Sequence, residues 1–303
     1  MNFDVTILGC NGAIPAYDRH PTSQYINYNG SGFLVDCGEG TQSQMNRYNI
    51  KRGKLNYIFI SHLHGDHFFG LMGLLTSFNL NYRDTPLYIF GPEGIEEIVK
   101  THFKWSKTTL RFELFFTIVK DDKPFVVFEN EYLTVSSIPL RHRIPTTGYI
   151  FREKKKPRKI IAEKISSYNI PIEKLHDIKD GNDFILADGT VIKNSELTTE
   201  NTKPRAYAFC SDTVFFEELV SDLNDIDLLY HEATFSMEHA ARAKETMHST
   251  TTEAATIAKM ANVKNLLIGH FSARYEDLTI LLSEAKSIFT NTEIAKEGTT
   301  FIL

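Results

Sequence analysis

The segment Ser61-His62-Leu63-His64-Gly65-Asp66-His67 lies between a stretch with a strand-like pattern of apolar residues and a stretch with a helix-like pattern. The run at 55–60 before it is apolar and rich in β-branched residues, which predicts a buried strand. Residues 68–75 after it repeat apolar side chains at i, i+3, i+4 and i+7, which predicts a helix. A strand that passes through a polar turn into a helix is the local unit of an α/β fold.

This segment also concentrates groups that bind metal ions. In the extended part, His62 and His64 are two residues apart and leave the same side of the chain, so both can hold one ion. Asp66 and His67 fall on the turn into the helix, from which they reach a second ion close by. Burying these groups without a metal would cost a large desolvation free energy, whereas imidazole and carboxylate are good zinc ligands.

Three further residues follow predicted strands in the same way. His142 follows a strand that ends near Leu140, Asp212 follows the run at 205–210, and His270 follows the run at 263–269. The carboxyl ends of strands are where α/β sheets place ligands, so we expect these side chains to join the site. Asp212 is the natural bridge, because its carboxylate has two oxygens and can serve both ions.

Short apolar runs that read as buried strands recur through the chain, with helical patterns between several of them. They are Val5–Leu8, Phe33–Val35, Tyr57–Ile60, Leu87–Phe90, Leu133–Ile138, Ala206–Phe209, Leu228–Tyr230 and Leu266–Ile268. The mixture predicts an α/β class in which helices cover sheets. It is concentrated in residues 1–150 and 204–303.

The stretch at 151–203 has a different character and reads as an inserted arm. Between Arg152 and Lys164 it carries seven basic and two acidic residues, a local charge of +5. A solvated charge run on a loop is the alternative interpretation of such a cluster. The chain as a whole has a net charge of −5, which taken alone argues weakly against a polyanionic partner.

Composition excludes several classes. The 303 residues are 42% hydrophobic and 23% charged, which excludes collagenous, disordered and disulfide-scaffold proteins. Three widely spaced cysteines are typical of a reducing compartment. Neither a signal peptide at the start nor an apolar run long enough for a membrane helix is evident, so we expect a cytoplasmic protein without membrane association.

Two other clusters are candidates for function. His231-Glu232-Ala233-Thr234 follows a predicted strand, and His248-Ser249-Thr250 precedes a predicted helix whose N-cap is Ser249 or Thr250. A histidine beside a helix N-terminus suits an anion or a leaving group. The alternative is that His248 merely lies near a cap and Glu232 pairs with an arginine.

The pattern resembles the metallo-β-lactamase superfamily, whose hallmark is His-x-His-x-Asp-His, and within it the ribonuclease Z family. Further motifs narrow the resemblance to that family because they recur there together and in this order. They are Leu8-Gly9-Cys10-Asn11-Gly12-Ala13-Ile14-Pro15, Asp36-Cys37-Gly38-Glu39-Gly40-Thr41-Gln42, Gly70-Leu71, Tyr88-Ile89-Phe90-Gly91-Pro92, Gly148-Tyr149, His231-Glu232-Ala233-Thr234-Phe235, His248-Ser249-Thr250 and His270-Phe271-Ser272-Ala273-Arg274-Tyr275.

The resemblance implies one αββα sandwich domain over 1–303, with a flexible arm inserted at 151–203. It implies an endoribonuclease that removes the 3′ trailer from precursor tRNA and leaves a 3′-hydroxyl on the tRNA. It also implies two Zn²⁺ ions per subunit and a homodimer.

The resemblance also assigns roles to residues. One zinc would be held by His62, His64 and His142, and the other by Asp66, His67 and His270, with Asp212 shared. Asp66 would act as base toward the attacking water, and His248, oriented by Glu232, would donate a proton to the leaving oxygen. Arg274 would contact a backbone phosphate, and the arm, with Lys154, Lys155, Lys156 and Arg158, would grip the tRNA elbow.

The chain departs from the family pattern at two places. The arm reads Asn169-Ile170-Pro171 where typical bacterial members carry a Gly-Pro pair, and Ser211 stands where a glycine commonly precedes the bridging aspartate. Other readings of the whole chain are a different phosphodiesterase or small-ester hydrolase on the same sandwich, and a nonenzymatic RNA-binding member. A redox diiron protein is disfavoured, because that group usually places an acid where His64 stands.

Overall fold

A computed structural model describes residues 2–303, so Met1, the first residue of the start predicted to lack a signal peptide, lies outside the described residues. The chain forms two compact units. The first contains the chain up to Glu129, Thr134–Phe151 and Ala206–Leu303, and the second contains Asn130–Leu133 and Arg152–Arg205. Among the described residues, no helix has the length and apolar character needed to cross a membrane.

The described residues form strands and helices in frequent alternation. The strands are β1 (Phe3–Gly9), β2 (Ser23–Tyr28), β3 (Ser31–Val35), β4 (Leu55–Phe59), β5 (Leu87–Gly91), β6 (Leu114–Ile118), β7 (Phe125–Glu129), β8 (Leu133–Leu140), β9 (Thr146–Glu153), β10 (Lys159–Ile160), β11 (Phe184–Ile185), β12 (Val191–Ile192), β13 (Thr198–Thr199), β14 (Ala206–Cys210), β15 (Leu228–Glu232), β16 (Asn265–Gly269), β17 (Thr292–Ile294) and β18 (Thr300–Ile302). The α-helices are α1 (Thr41–Arg47), α2 (Gly65–Phe68), α3 (Gly70–Leu80), α4 (Ile95–Trp105), α5 (Ala162–Ser167), α6 (Leu175–Lys179), α7 (Asn194–Leu197), α8 (Ala240–Thr246), α9 (Thr251–Met260) and α10 (Thr279–Ile288).

Two seven-stranded sheets dominate the first unit. Their orders are β18-β1-β2-β3-β4-β5-β6 and β17-β16-β15-β14-β9-β8-β7. Strands β3 to β6 run parallel, as do β14 to β17. Parallel neighbours end at the same edge of a sheet, so the loops that follow β14, β15 and β16 emerge side by side.

Aromatic side chains pack the two sheets face to face. Phe33 of β3 lies edge-on to Phe151 of β9, with ring centroids 5.7 Å apart, and Phe59 of β4 meets Tyr149 of β9 at 5.2 Å. All four side chains are buried. Such edge-to-face pairs add about 0.5–1.5 kcal/mol each to the hydrophobic gain of burial.

Helices cover the outer faces of both sheets. Apolar residues of α1, α3 and α4, among them Met45, Leu74 and Val99, form one core cluster with Ile58 and Ile89 of the first sheet. Helices α9 and α10 pack against β15, β16 and β17 of the second sheet. These four layers confirm the predicted α/β sandwich.

The helix predicted at 68–75 is interrupted. Helix α2 ends at Phe68 and α3 begins at Gly70, where the backbone N–H donates to the carbonyl of Cys37 at 2.9 Å. A Cβ atom at position 70 would lie 2.1 Å from the carbonyl oxygen of Gly38. The turn into α3 therefore requires glycine, and the close approach ties the histidine segment to the loop after β3.

The second unit contains the segment predicted as an arm. Its helices α5, α6 and α7 accompany two short ladders, β10 with β13 and β11 with β12. Ile170, Ile178, Ile192 and Leu197 form a small apolar core. Glu153 and Arg205 close the two ends of the unit, because Arg205 donates to the carboxylate from Nη2 at 2.7 Å and from Nε at 3.0 Å.

Candidate metal centre

Asp36 ties the two ends of the histidine segment together. Its carboxylate follows β3, is fully buried, and accepts from the N–H of Ser61 at 2.8 Å and from the Ser61 hydroxyl at 2.9 Å. The other end of the segment meets it through His67 Nδ1, 2.6 Å from Asp36 Oδ2. No role was predicted for Asp36 from the sequence, although a charged residue directly after a buried strand was a usable signal.

The first group of ligand atoms consists of three imidazole nitrogens and one carboxylate oxygen. His64 Nδ1 lies 3.0 Å from His62 Nε2 and 3.3 Å from His142 Nε2. Asp212 Oδ2 lies 3.6 Å from the nitrogen of His62 and 3.7 Å from that of His142. The four residues predicted for one ion are therefore brought together.

The second group uses the other oxygen of Asp212. His67 Nε2 and His270 Nε2 each lie 3.1 Å from Asp212 Oδ1. The same two nitrogens lie 3.4 Å and 3.5 Å from Asp66 Oδ2. Asp212 thus presents one carboxylate oxygen to each group, which is the arrangement expected of a bridging ligand.

These distances fit a metal ion of zinc's size. With ligand bonds of about 2.0–2.1 Å, the edges of a tetrahedral zinc site are about 3.3 Å long. The eight separations given above run from 3.0 Å to 3.7 Å. Among the described residues, the buried Nε2 atoms of His67 and His270 have no hydrogen-bond partner, and a coordinated cation would satisfy both.

Three of the histidine rings are oriented by a hydrogen-bond partner at Nδ1, the ring nitrogen that faces away from the cluster. His142 Nδ1 lies 2.9 Å from the carbonyl of Met247, which only an N–H can satisfy. His67 Nδ1 meets Asp36, as described above, and His270 Nδ1 lies 2.8 Å from the hydroxyl of Thr234. In each case the occupied Nδ1 leaves Nε2 facing the cluster, which is the usual arrangement around ligating imidazoles.

The electrostatics also favour a bound cation. Burial lowers the pKa of His62, His64 and His142, so these imidazoles are neutral, as ligands must be. Burial alone would raise the pKa of Asp212, but the charge interactions with His270 and His67 hold it well below its usual range. Burial likewise opposes ionisation of Asp66, and His67 overcomes this and lowers its pKa.

His248 and Glu232 form a pair beside the candidate metal ligands. His248 Nδ1 lies 2.8 Å from Glu232 Oε1 and 3.9 Å from Asp212 Oδ2. Burial would lower the pKa of His248, but the charge of Glu232 and its hydrogen bond raise it to about 9. The N-cap of the following helix α9 is Thr250, which forms a capping box with Glu253.

A cavity of about 770 Å³ opens over these groups and carries cations on its wall. Arg274, predicted to meet a phosphate, lines it with its guanidinium 5.2 Å from the centre of the Phe235 ring. Arg143 and Arg242 also line the cavity, and neither was singled out from the sequence. Arg143 directly follows His142, which was predicted as a metal ligand. That position was the sequence signal that could have identified Arg143 as a residue of the site.

The other predicted substrate-binding residues lie in the second unit. The lysines at 154–156 are exposed or half-buried, and Lys156 Nζ lies 3.7 Å from Glu153 Oε1. Arg158 is held by hydrogen bonds from Nε to the Thr198 hydroxyl at 2.7 Å and from Nη1 to Glu200 at 3.5 Å. Arg158 therefore supports β13, whereas Lys155 is exposed to solvent.

The sequence is similar to one family model and to proteins of known name. Residues 3–165 match the family model described as Anti-Pycsar protein Apyc1. A Ribonuclease Z of Bacteroides fragilis is 47% identical over 296 residues, covering 98% of this chain and 97% of the relative. A Ribonuclease Z of Bacteroides thetaiotaomicron is 45% identical, covering 98% and 94%.

The fold is similar to solved structures of a tRNase Z and of another metallo-β-lactamase fold protein. The human tRNase Z short form is 27% identical, with a TM-score of 0.70 and coverage of 98% of both chains. The metallo-β-lactamase fold protein YhfI of Bacillus subtilis has a TM-score of 0.69 at 20% identity and covers 100% of both chains. The latter likeness concerns the fold alone.

Proposed function

The chain belongs to the ribonuclease Z family and, over residues 3–165, to the family of the Apyc1 model, and from that premise we propose how its site works. It is a metal-dependent tRNA 3′-processing endoribonuclease on a metallo-β-lactamase fold. We further propose the identity and number of its metal ions, the roles of individual residues, the function of the arm, the assembly and the compartment.

Two Zn²⁺ ions per subunit are the metals we assign. His62, His64 and His142 would hold one, Asp66, His67 and His270 the other, and Asp212 both. The nitrogen-rich donor set and the 3.0–3.7 Å spacings support zinc. When bound, such a pair supplies Lewis acidity, which activates water and stabilises negative charge on phosphodiester oxygens.

Asp66 is the base in this proposal. Its carboxylate is ionised at neutral pH and is oriented by the backbone N–H of Ala13, which donates to Oδ2 at 2.7 Å. It accepts a proton from the water whose oxygen attacks the phosphorus. The bond between phosphorus and O3′ then breaks, so the trailer carries the phosphate away and the tRNA retains a 3′-hydroxyl.

His248 supplies the proton for the departing O3′. Its Nδ1 is occupied by Glu232, so Nε2–H is the donor available to the cavity. The raised pKa keeps this imidazole protonated at neutral pH. Glu232 acts through His248 and is therefore a positioning residue. General acid catalysis of this kind contributes about 10²–10⁴ to a rate.

Recognition of the RNA falls to two cationic regions. Arg274, with Arg143 and Arg242, would contact phosphates next to the cut, because these guanidinium groups line the cavity of the first unit. The arm at 151–203, with Lys154, Lys155, Lys156 and Arg158, would grip the tRNA elbow. Its local charge of +5 in a chain of net charge −5 supports this assignment.

The assembly and compartment complete the proposal. By its resemblance to the family, the chain would form a homodimer in which one subunit's arm holds tRNA for the other subunit's site. A reducing cytoplasm suits its three buried, unpaired thiols and the presence there of precursor tRNA.

The observation that carries the proposal is the pair of ligand groups that share Asp212. The test is incubation of the purified protein with a labelled precursor tRNA, with the cut mapped and the metals counted in the same preparation. We expect one cut at the start of the trailer and two zinc ions per chain. A metal-free preparation that binds tRNA without cutting it would favour the RNA-binding alternative.

A second assay separates the nuclease from a small-ester hydrolase on the same sandwich. Deleting residues 154–164 should cripple cleavage of precursor tRNA while sparing bis(p-nitrophenyl) phosphate. Equal survival of both activities would overturn the role assigned to the arm.

A further inference from the structure

Thr234 lies between two parts of the site that have so far been treated separately. Its hydroxyl oxygen is 2.8 Å from Nδ1 of His270, a residue of the second metal group, and 2.5 Å from Glu232 Oε2. Glu232 uses its other oxygen to hold His248. Both Glu232 and His270 are buried, so water does not compete freely for these contacts.

Counting hydrogens fixes the direction of each bond. Ionised Glu232 can only accept, so the single hydroxyl proton of Thr234 goes to Oε2. The Thr234 oxygen is then an acceptor toward His270, whose Nδ1 must carry the hydrogen. This leaves the lone pair of His270 on Nε2, the atom that lies 3.1 Å from Asp212 Oδ1.

Both carboxylate oxygens of Glu232 accept two hydrogen bonds each. Oε1 accepts from His248 Nδ1 at 2.8 Å and from the N–H of Thr213 at 2.9 Å. Oε2 accepts from the N–H of Thr234 at 3.2 Å as well as from its hydroxyl. Four donors around one carboxylate lock its orientation, and burial makes the loss of any of them costly.

The ring of His270 has little freedom to compensate. A Cβ atom at Gly12 would lie 2.5 Å from its Cε1, so the ring is packed against bare backbone on that side. The backbone of His270 has a φ of +58°, and the next residue, Phe271, is pinned by a bond from its N–H to the carbonyl of Cys10 at 3.0 Å. The ring therefore depends on Thr234 for its hydrogen-bonding state.

We propose that Thr234 is a positioning residue that fixes His270 in the Nδ1–H tautomer and so links the second metal site to the Glu232–His248 pair. This inference rests on the proposed dimetal function. Through Thr234, one buried carboxylate orients both the proton donor and a metal ligand. His67 and His142 have different partners at Nδ1, namely the carboxylate of Asp36 and the carbonyl of Met247.

The test is a stepwise zinc titration of metal-free protein, with a chelator as competitor, for the wild type and for Thr234→Val and Thr234→Ser. Valine keeps the shape but removes the hydroxyl. We expect the second zinc to bind about 10–100-fold more weakly to Thr234→Val, the usual effect of losing an outer partner, with the first zinc little changed. Serine should restore affinity to near wild type.

A control variant tests whether the loss of any threonine hydroxyl weakens zinc binding, and NMR tests the His270 tautomer independently. Thr256→Val changes a threonine of α9 whose hydroxyl bonds only locally, to the carbonyl of Thr252 at 2.7 Å, and should leave both affinities unchanged. In metal-free wild type, nitrogen NMR of His270, assigned by its loss in His270→Asn, should show hydrogen on Nδ1.

Three outcomes would overturn the inference: wild-type affinity for two zinc ions in Thr234→Val, a serine variant as weak as the valine variant, or hydrogen on Nε2 of His270 in the metal-free wild type. Failure of the wild type itself to bind a second zinc would instead contradict the proposed dimetal function. The two failures are therefore distinguishable.

Discussion

The cavity of the first unit and the basic segment of the second unit both carry charge, but they hold it in opposite ways. At or just behind the cavity wall, Asp212, Glu232 and His67 are buried, and each has several partners at fixed distances. In the second unit the lysines at 154–156 are exposed or half-buried on a short segment. Buried, partnered charges are preorganised for chemistry, whereas solvated charges give screened, additive attraction to a polyanion.

The largest effect is expected at Asp66, to which we assign the roles of both ligand and base. Asp66→Ala should remove most turnover, by at least about 10³-fold, because it deletes a proton acceptor and a metal ligand in one change. The measurement is single-turnover cleavage of precursor tRNA combined with metal counting, which should show weakened binding at the second site. A nearly normal rate would refute both roles.

His248 should show a smaller loss that leaves the metals in place. His248→Ala removes the proton donor but no assigned ligand, so we expect a rate loss of about 10²–10⁴ with metal content near that of the wild type. Because Asp212, His248 and His270 also cluster within ligand distance of one another, metal analysis is decisive. Loss of metal in this variant would mean that His248 is a ligand.

Neutralising the basic segment should act on binding and leave the chemistry intact. Changing the lysines at 154–156 to glutamine should raise KM for precursor tRNA by roughly tenfold, since exposed charge contacts are each worth about 1 kcal/mol or less. The dependence of KM on salt should become shallower, while hydrolysis of bis(p-nitrophenyl) phosphate is unchanged. Arg158 is left in place because it supports Thr198.

The matched control changes three exposed lysines of the first unit, Lys51, Lys54 and Lys123, to glutamine. It removes the same total charge without touching the arm. An equal rise in KM for both triple variants would mean that net charge, and not the position of the basic segment, decides binding.

The smallest effect separates two arginines that flank His142. Arg143 lines the cavity, whereas Arg141 pairs with Glu218 at 3.1 Å and stacks on Phe216. Arg143→Ala should raise KM for precursor tRNA by about threefold to tenfold, as expected for one phosphate contact, and Arg141→Ala should change it little. The reverse order of effects would contradict the assignment of the cavity as the RNA path.

The clustering of the candidate metal ligands could be predicted from the sequence because several of them follow the end of a strand. His62, His142 and Asp212 needed only the rule that ligands gather at the carboxyl ends of strands. Asp36 and Thr234 needed the folded chain, since their importance lies in contacts with His67, 31 positions away, and His270, 36 positions away. Arg143 needed it because its importance lies in the cavity that it lines. The position of a polar residue after a strand does not show which distant residue its side chain will contact.

The break between α2 and α3 shows a second limit. The apolar pattern at 68–75 is helical throughout, and nothing in its periodicity marks Phe68 as the end of a helix. The cause is the approach of Gly70 to the carbonyls of Cys37 and Gly38, a tertiary contact about 30 residues away in sequence. Periodicity predicts which face is buried but not where two backbones will touch.

The central claim is that one carboxylate joins two metal sites, and the direct measurement is metal counting in Asp212→Asn beside the wild type. The amide keeps the size of the side chain but has one oxygen, so it cannot present an acceptor to both ligand groups. We predict two metal ions per chain in the wild type, at most one in Asp212→Asn, and loss of precursor tRNA cleavage in the variant. An Asp212→Asn protein that binds two metal ions with wild-type affinity would contradict the account.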